Sequence, residues 1–177
     1  TGRHGVVLGT GTVGAAIAAK FRAVGCRVTC LSRRGAPCPD CDNTVAWSDR
    51  GDLLAQADWI IVTLPLSRET RGLFSGDVMA ECRGAYLMNV GRGAVVEEAA
   101  LPGAIDAGWL AGAALDVFEK EPLASDSPLW EHPEILISPH VSGLSETQET
   151  GEDFLGALNS LESGKTPKWG VDLEQGY

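Results

Sequence analysis

The sequence predicts a doubly wound α/β fold with a parallel sheet, in one domain of 177 residues. Two observations support this expectation. Short runs that are apolar on both faces, as buried parallel strands are, alternate with segments that suit helices. A glycine-rich turn from Gly9 to Gly14 directly follows the first of these runs. Strand, helix and strand in repetition imply right-handed crossovers, and therefore a parallel sheet.

The elements can be assigned in order along the chain. Six apolar runs are expected to form strands, at 6–8, 28–31, 59–62, 86–88, 113–115 and 135–137. The segments expected to form helices between them are 13–24, 53–56, 76–81 and 97–107. A last segment, 146–161, has an apolar face and is expected to form an amphipathic helix.

Composition excludes several classes of partner. A net charge of -10 and a pI of about 4.7 do not suit a surface that gathers nucleic acid or anionic lipid. No apolar run approaches the roughly 20 residues that span a bilayer, so we expect a cytoplasmic protein without membrane contact. A chain of this size with a full core needs no disulfides, so its five cysteines are expected to be reduced.

The glycine-rich turn has the spacing of a phosphate-binding loop. Gly9 permits a tight turn, Gly11 lets the backbone approach a pyrophosphate, and Gly14 lets the helix pack closely on the strand. The helix that begins there offers N–H groups and the positive end of its dipole to phosphates. With the flanking strand and helix, this predicts a Rossmann-type site in which Thr12 and Val13 also contact a dinucleotide.

The end of the second strand bears on which dinucleotide binds. An Asp or Glu there would bind the adenosine ribose of NAD(H). This sequence has Ser32, Arg33 and Arg34, a hydroxyl and two guanidinium groups that suit a 2'-phosphate. We therefore expect NADP(H) to be preferred, with NAD(H) possible. The alternative is that the two arginines form a solvated turn.

Three more segments follow later strands, and each carries a residue suited to catalysis. They are Asn89-Val90-Gly91-Arg92-Gly93, Leu115-Asp116-Val117-Phe118-Glu119-Lys120-Glu121-Pro122 and Ser138-Pro139-His140. Because the carboxyl ends of parallel strands form one rim, Arg92, Glu121 and His140 are expected to converge there. With the glycine-rich turn, these segments resemble, in this order, the motifs of the D-isomer-specific 2-hydroxyacid dehydrogenases. The resemblance extends from Val6 to about Leu161.

The resemblance implies roles for the three converging residues. Arg92 would hold the carboxylate and 2-oxo group of the substrate, a task that suits a planar bidentate donor. His140 would give a proton to the carbonyl oxygen in reduction and take it back in oxidation. Glu121 would bond the imidazole and fix its tautomer. His4 and His132 are expected to be structural.

The same resemblance implies further contacts with the cofactor. Asp116 would face the nicotinamide carboxamide. The other expected cofactor contacts are Thr63, Leu64, Pro65, Val90, Gly91 and His140.

The family's substrates are small 2-oxo and 2-hydroxy acids. The segment from Pro122 to Pro133 is similar to members that reduce glyoxylate or hydroxypyruvate, so these are the expected substrates. Phosphoglycerate or formate dehydrogenation remains open, as does a non-catalytic module that senses the nucleotide. An acid, its partner and a carboxylate clamp together favour an enzyme, because a sensor has less need of them.

The family places a substrate domain mostly before the cofactor domain, and we expect that domain to be absent from this chain. Residues 1–145 are then the NAD(P)-binding domain, 146–162 a helix that would pack on the missing domain, and 163–177 a tail. The apolar face of this helix carries Phe154, Leu155, Leu158 and Leu161. We expect weak self-association through it, and a homodimer is possible.

Cys38-Pro39-Asp40-Cys41 forms a single C-x-x-C, with Cys26 and Cys30 upstream. A structural zinc site needs four converging ligands. Cys26 and Cys30 are about 13 Å apart if the strand is extended between them. We therefore expect free thiols and no metal.

Overall fold

The computed structural model describes residues 2–143, 147–168 and 170. Its sheet has seven parallel strands, β1 (His4–Leu8), β2 (Arg27–Ser32), β3 (Asn43–Ala46), β4 (Trp59–Val62), β5 (Ala85–Asn89), β6 (Leu110–Leu115) and β7 (Ile135–Ile137). Their order is β3-β2-β1-β4-β5-β6-β7, which confirms the doubly wound fold. The order reverses between β1 and β4, and sheets of this kind bind ligands at such a switch point.

Two of the four helices, α2 and α3, are shorter than the sequence predicts. They are α1 (Thr12–Ala23), α2 (Gly76–Met79), α3 (Leu101–Asp106) and α4 (Thr147–Glu162). The segment expected at 53–56 is a 3-10 turn, Gly51–Gln56, and the one expected at 97–107 begins as the 3-10 turn Glu98–Ala100. The α-helix starts only at Leu101, where Pro102 occupies the first turn, a position that tolerates its missing N–H. Further 3-10 turns are Trp47–Asp49, Gly93–Val95 and Pro128–Trp130.

Strand β3 was not predicted from the sequence. It has four residues, it pairs only with β2 among the described strands, and none of its residues is fully buried. An edge strand that is half-exposed lacks the continuous apolar run by which the central strands were recognised. The connection that follows β2 therefore leads into a strand at Asn43.

The core lies on both faces of the sheet. Successive side chains of a strand point to opposite faces. Val6 and Leu8 of β1 belong to the larger cluster, with α2 and α3, whereas Val7 lies on the other face. There it packs with Val28 of β2, Ile61 of β4 and the α1 face; all are essentially inaccessible to solvent. This double burial holds the strand ends in fixed positions.

The chain forms two compact units, Thr1–His140 and Val141–Tyr177. The first contains all seven strands and α1 to α3, and the second contains α4. The helix expected over 146–161 is therefore present, although Glu146 and most of the expected tail, 163–177, lie outside the described residues. Its apolar residues are exposed by 41% to 67%, namely Phe154, Leu155, Leu158 and Leu161. Self-association through them stays a prediction, as do the domain boundaries proposed from the sequence.

In the part of the chain that the structure describes, no helix combines the length and the apolar character needed to cross a bilayer.

Candidate functional site

The predicted site residues lie at or just beyond the carboxyl ends of six strands. Because all strands are parallel, these ends form one rim. The rim carries Gly9 to Gly14 after β1, Ser32 to Arg34 at β2, Thr63 to Pro65 after β4, Val90 to Arg92 after β5, Asp116 and Glu121 after β6, and His140 after β7.

The glycine-rich loop between β1 and α1 requires glycine at two of its three positions in the folded chain. Gly9 has φ +118°, a conformation that L side chains rarely adopt. A Cβ on Gly14 would lie 2.2 Å from the carbonyl oxygen of Gly9, so loop and helix could not pack as they do. At Gly11, by contrast, a Cβ would meet nothing within 4 Å. The glycine at this third position leaves open space beside the helix start.

The start of α1 suits an anion. Gly11 is its N-cap and supplies no side-chain cap, and the first turn contains no acidic residue. Thr12 and Val13 are exposed at this end. Uncapped N–H groups and the positive end of the helix dipole therefore face the space beside Gly11, which is the arrangement that holds a pyrophosphate. The residues fit a dinucleotide.

Close contact between backbones fixes the loops after β4 and β5. The hydroxyl of Thr63 donates to the carbonyl oxygen of Leu8, at 2.9 Å. A Cβ on Gly91 would lie 2.7 Å from the carbonyl oxygen of Leu64 and 2.9 Å from its nitrogen. Only glycine permits this approach, so the predicted nucleotide contacts after β4 and after β5 lie directly beside one another.

Asn89 positions the loop that carries Arg92. This residue ends β5 and is 1% exposed. Its Nδ2 donates to the carbonyl oxygen of Arg92, and its Oδ1 accepts from the N–H of Gly91, both at 3.2 Å. No role was predicted for Asn89, although an amide side chain at the end of an apolar run is itself a signal, because a buried amide needs hydrogen-bond partners. The Arg92 guanidinium donates to the carbonyl oxygen of Gly91, at 2.7 Å.

The β5 and β6 loops are also in direct contact. A Cβ on Gly93 would lie 1.8 Å from the carbonyl carbon of Phe118, so the two backbones touch at this glycine. The N–H of Phe118 in turn donates to Oε1 of Glu121, at 3.0 Å. The backbone contact at Gly93 and the hydrogen bond from Phe118 therefore fix the Glu121 carboxylate relative to the loop that carries Arg92.

Glu121 and His140 form a hydrogen-bonded pair. Oε2 of Glu121 lies 2.8 Å from Nδ1 of His140. The bond from the His140 ring, and next the N–H of Phe118, hold the pKa of the Glu121 carboxyl below its usual range. An ionised carboxylate accepts a hydrogen bond from Nδ1–H. Nε2 is then the ring nitrogen that can exchange a proton with a ligand. The backbone of His140 is left-handed, at φ 54°, which is uncommon outside glycine and recurs at functional sites.

Arg92, Glu121 and His140 border one open pocket of about 310 Å³. A second cavity of about 600 Å³ shares Phe118, Glu121 and His140 and is otherwise lined by apolar side chains, including Leu123, Trp130 and Ile137. The hydrogen-bonded pair thus borders both spaces. The predicted convergence of the three residues is observed, whereas their catalytic roles stay a prediction.

Asp116 directly follows β6, and its side chain is buried against Ser138, which directly follows β7. It is 4% exposed, and its Oδ1 accepts a hydrogen bond from the hydroxyl of Ser138. The N–H of Ser138 donates to the carbonyl oxygen of Leu115 at 2.9 Å, which ties the β7 end to β6. No role was predicted for Ser138. Its hydroxyl holds the carboxylate of Asp116, the residue that was expected to face the nicotinamide carboxamide.

Two of the three residues expected to bind a 2'-phosphate, Ser32 and Arg33, already have partners within the chain. Ser32 Oγ accepts from the N–H of Ala36 at 3.0 Å, which leaves its own O–H as a donor. Arg33 pairs with Glu69 at 2.9 Å, with side chains 43% and 64% exposed, whereas Arg34 is exposed. Glu69 was missed because 36 residues separate it from Arg33 and no local pattern links them. A phosphate at Arg33 would have to compete with this carboxylate.

The two remaining histidines have structural partners. His4 is 4% exposed within β1, with Nε2 3.0 Å from the hydroxyl of Thr29 and Nδ1 3.3 Å from the carbonyl oxygen of Gln56. Burial is the main cause that lowers the pKa of His4. Nε2 of His132 lies 3.7 Å from Asp106. Neither residue belongs to the rim.

A glycine-rich loop at the switch point of a parallel sheet, with an Arg and a Glu–His pair on the same rim, defines the nucleotide-binding half of a dehydrogenase. Residues 1–142 match the D-isomer specific 2-hydroxyacid dehydrogenase, NAD binding domain. The chain belongs to this family, as its motifs indicated.

Individual relatives agree with this assignment. Glyoxylate/hydroxypyruvate reductase A of Salmonella paratyphi B is 34% identical over 97% of this chain and 55% of its own length. A D-isomer specific 2-hydroxyacid dehydrogenase from Xanthobacter autotrophicus, solved with NADPH and MES, is 35% identical over 99% of this chain and 73% of its own, with a TM-score of 0.92. The NADPH-dependent glyoxylate/hydroxypyruvate reductase of Sinorhizobium meliloti, solved with NADP and sulfate, is 31% identical over 99% of this chain and 57% of its own, with a TM-score of 0.91. The chain spans about half the length of the curated relatives it matches.

Proposed function

We propose that this chain is the cofactor-binding half of a reductase for small 2-oxo acids, that it carries the acid–base pair of the reaction, and that it prefers NADP(H) over NAD(H). The observation that supports catalysis is the single pocket of about 310 Å³ bordered by Arg92, Glu121 and His140. A module that only senses a nucleotide has no need for a guanidinium and a carboxylate–imidazole pair beside its cofactor rim.

The reduction needs a hydride and a proton. When bound, the nicotinamide cofactor supplies the hydride to the substrate's carbonyl carbon. Arg92 binds the carboxylate and the 2-oxo group, because its fork of donors matches two oxygens at once. His140 delivers the proton to the carbonyl oxygen from Nε2, and it takes the proton back in the reverse direction.

Glu121 acts on His140 rather than on the substrate. Its carboxylate accepts the hydrogen bond from Nδ1–H, which fixes the tautomer and the ring orientation of the imidazole. The second oxygen of Glu121 is held by the N–H of Phe118, so the carboxylate cannot turn away. Proton transfer is therefore prepared by the chain itself.

Three features support the cofactor preference. The β2 end has no acidic residue to bind a ribose, and it offers a serine O–H and two guanidinium groups instead. Two related structures were solved with NADP or NADPH.

Glyoxylate and hydroxypyruvate are the proposed substrates, because the curated relative and the Sinorhizobium meliloti enzyme carry those names.

Calorimetric titration of the chain with NADPH and with NADH, in a buffer low in phosphate, tests the preference. We expect tighter binding of NADPH. Replacing Arg33 and Arg34 together by Gln should weaken NADPH binding and leave NADH binding unchanged. Lys20 in the last turn of α1 and Arg27 at the start of β2 are exposed and lie away from the carboxyl end of β2, so replacing both by Gln is the matched charge control. Equal affinity for both cofactors would contradict the preference.

Turnover tests the catalytic assignment separately. NADPH oxidation with glyoxylate or hydroxypyruvate should show a higher KM in Arg92→Gln and a lower kcat in His140→Gln. His132→Gln is the matched control and should leave both constants unchanged. A chain that binds NADPH, yet oxidises it no faster with Arg92 and His140 present than without them, would favour the nucleotide-sensing alternative.

A further inference from the structure

Three of the five free cysteines meet outside the cofactor rim. The sulfur atoms of Cys30, Cys38 and Cys41 all lie within 4.8 Å of one another. Cys30 belongs to β2, and the other two lie in the connection from β2 to β3. Cys26 is not part of the group. The cluster combines the C-x-x-C with one upstream cysteine, a pairing that spacing along the chain could not reveal.

The fold holds this cluster together through several backbone contacts. Asp42 accepts the N–H of Val28 at 2.8 Å and donates its own N–H to the carbonyl oxygen of Val28 at 2.9 Å. These two bonds return the connection to β2 beside Cys30. A backbone bond from Cys41 to the carbonyl oxygen of Cys38, at 3.4 Å, closes the C-x-x-C turn. The sulfurs are therefore positioned by both ends of the connection.

The cluster is closed towards the core and open on one side. Cys30 is 0% exposed and Cys38 7% exposed, and both pack with α1-facing residues of the sheet, whereas Cys41 is half-buried. Oxygen donors lie beside Cys41, with the carbonyl oxygen of Asn43 at 3.0 Å and the hydroxyl of Thr44 at 3.3 Å. Three sulfurs, two of them buried, with oxygen atoms beside the third are a donor set for a thiophilic ion.

We propose that Cys30, Cys38 and Cys41 bind one Zn²⁺ ion, with an oxygen ligand in the fourth position. Two sulfurs that share a zinc ion at bonds of about 2.3 Å lie about 3.8 Å apart. The three sulfurs therefore need to close by about 1 Å at most. On binding, the three thiols release their protons to solvent and no electron is transferred. The ion joins β2 to the connection that leads to β3, and the expectation of free thiols without metal gives way to this proposal.

Metal binding by the reduced chain tests the site without reference to turnover. Chelator-treated chain is titrated with Co²⁺ in the absence of oxygen and then with Zn²⁺. We expect one Co²⁺ per chain, a thiolate-to-cobalt charge-transfer band in the near ultraviolet, and displacement of Co²⁺ by one Zn²⁺. Cys41→Ser should lower the affinity at least about tenfold, since one of three protein ligands is lost.

The controls separate coordination from folding and from oxidation. Cys41 is half-buried, so its serine variant should keep the wild-type circular dichroism, and Cys38→Ser provides a second ligand variant. Cys26→Ser is the matched control outside the cluster and should bind Co²⁺ as the wild type does. The proposal is overturned if the charge-transfer band is missing, or if Cys26→Ser weakens binding as much as Cys41→Ser. It is also overturned if the reduced chain binds no metal and Cys38 and Cys41 form a disulfide in air.

Discussion

Replacing Gly11 by Ala separates cofactor binding from folding at the phosphate loop. Gly11 has φ -73° and ψ -177°, a region that alanine adopts freely, and its new Cβ would meet nothing within 4 Å. The substitution therefore leaves the folded chain unstrained. It also restricts the unfolded chain, which stabilises by about 0.4 to 1 kcal/mol, whereas alanine is a poorer helix N-cap than glycine by a similar amount, so the free energy of unfolding should change by no more than about 1 kcal/mol.

The same methyl group would occupy the space that a pyrophosphate needs beside the start of α1. Displacing a packed ligand or backbone by one such group costs about 1 to 3 kcal/mol. That cost corresponds to NADPH binding that is weaker by about 5-fold to 150-fold. Calorimetric titration measures the Kd, and thermal unfolding without cofactor measures the stability.

Two other glycines provide the controls. Gly103 is exposed in α3, and a Cβ there also meets nothing within 4 Å. Gly103→Ala should raise stability by up to about 1 kcal/mol and leave the Kd for NADPH unchanged. Gly14→Ala should instead lower stability, because its Cβ would lie 2.2 Å from the Gly9 oxygen. An unchanged Kd for NADPH in Gly11→Ala would refute the assignment of this loop to the pyrophosphate.

Three further predictions concern other parts of the first unit. Glu69→Gln removes the competing carboxylate beside Arg33 and should tighten the binding of NADPH but not of NADH, with little change in stability because the pair is exposed. Calorimetry with both cofactors checks this, and equal gains in affinity would contradict it. Asn89→Ala removes both side-chain bonds of the Arg92 loop and should lower the free energy of unfolding by about 1 to 3 kcal/mol, measured by denaturant titration; an unchanged midpoint would count against it. The pKa of His4 is lowered in the folded chain, so the unfolded chain binds more protons, and the stability that neutral His4 contributes is full above pH about 6.5 and falls as the pH drops below that value. His4→Gln should therefore flatten the dependence of the melting temperature on pH between pH 7 and 5.5. An unaltered slope would show that another group causes the pH dependence.

The central strands and the glycine loop could be predicted from the sequence because their signals are local. Each buried strand is a continuous apolar run, and Gly9 to Gly14 follows one of them directly. The convergence of Arg92, Glu121 and His140 also followed, since one rule of parallel topology brings the strand ends together. What is local in sequence, or fixed by the topology, was within reach.

The missed features depend on the path of the chain between elements. Strand β3 has no apolar run of its own and exists because it pairs with β2. The Arg33–Glu69 pair joins residues from two connections, and the cysteine cluster joins β2 to the connection that follows it, so no spacing rule along the chain finds them. The sequence analysis compared Cys26 with Cys30, whereas the residues that meet are Cys30 and the two cysteines of the C-x-x-C.

The Glu121–His140 pair and Arg92 differ in how firmly the folded chain holds their side chains. The Glu121–His140 pair is fixed within the chain, because Glu121 is held by the N–H of Phe118 and itself holds His140. Arg92 is exposed and its guanidinium donates only to its own loop among the bonds described, at the carbonyl oxygen of Gly91. A substrate carboxylate would have to draw it away from that carbonyl. We therefore expect proton transfer to depend on groups that are ordered beforehand, and substrate capture to depend on a side chain that is ordered only on binding.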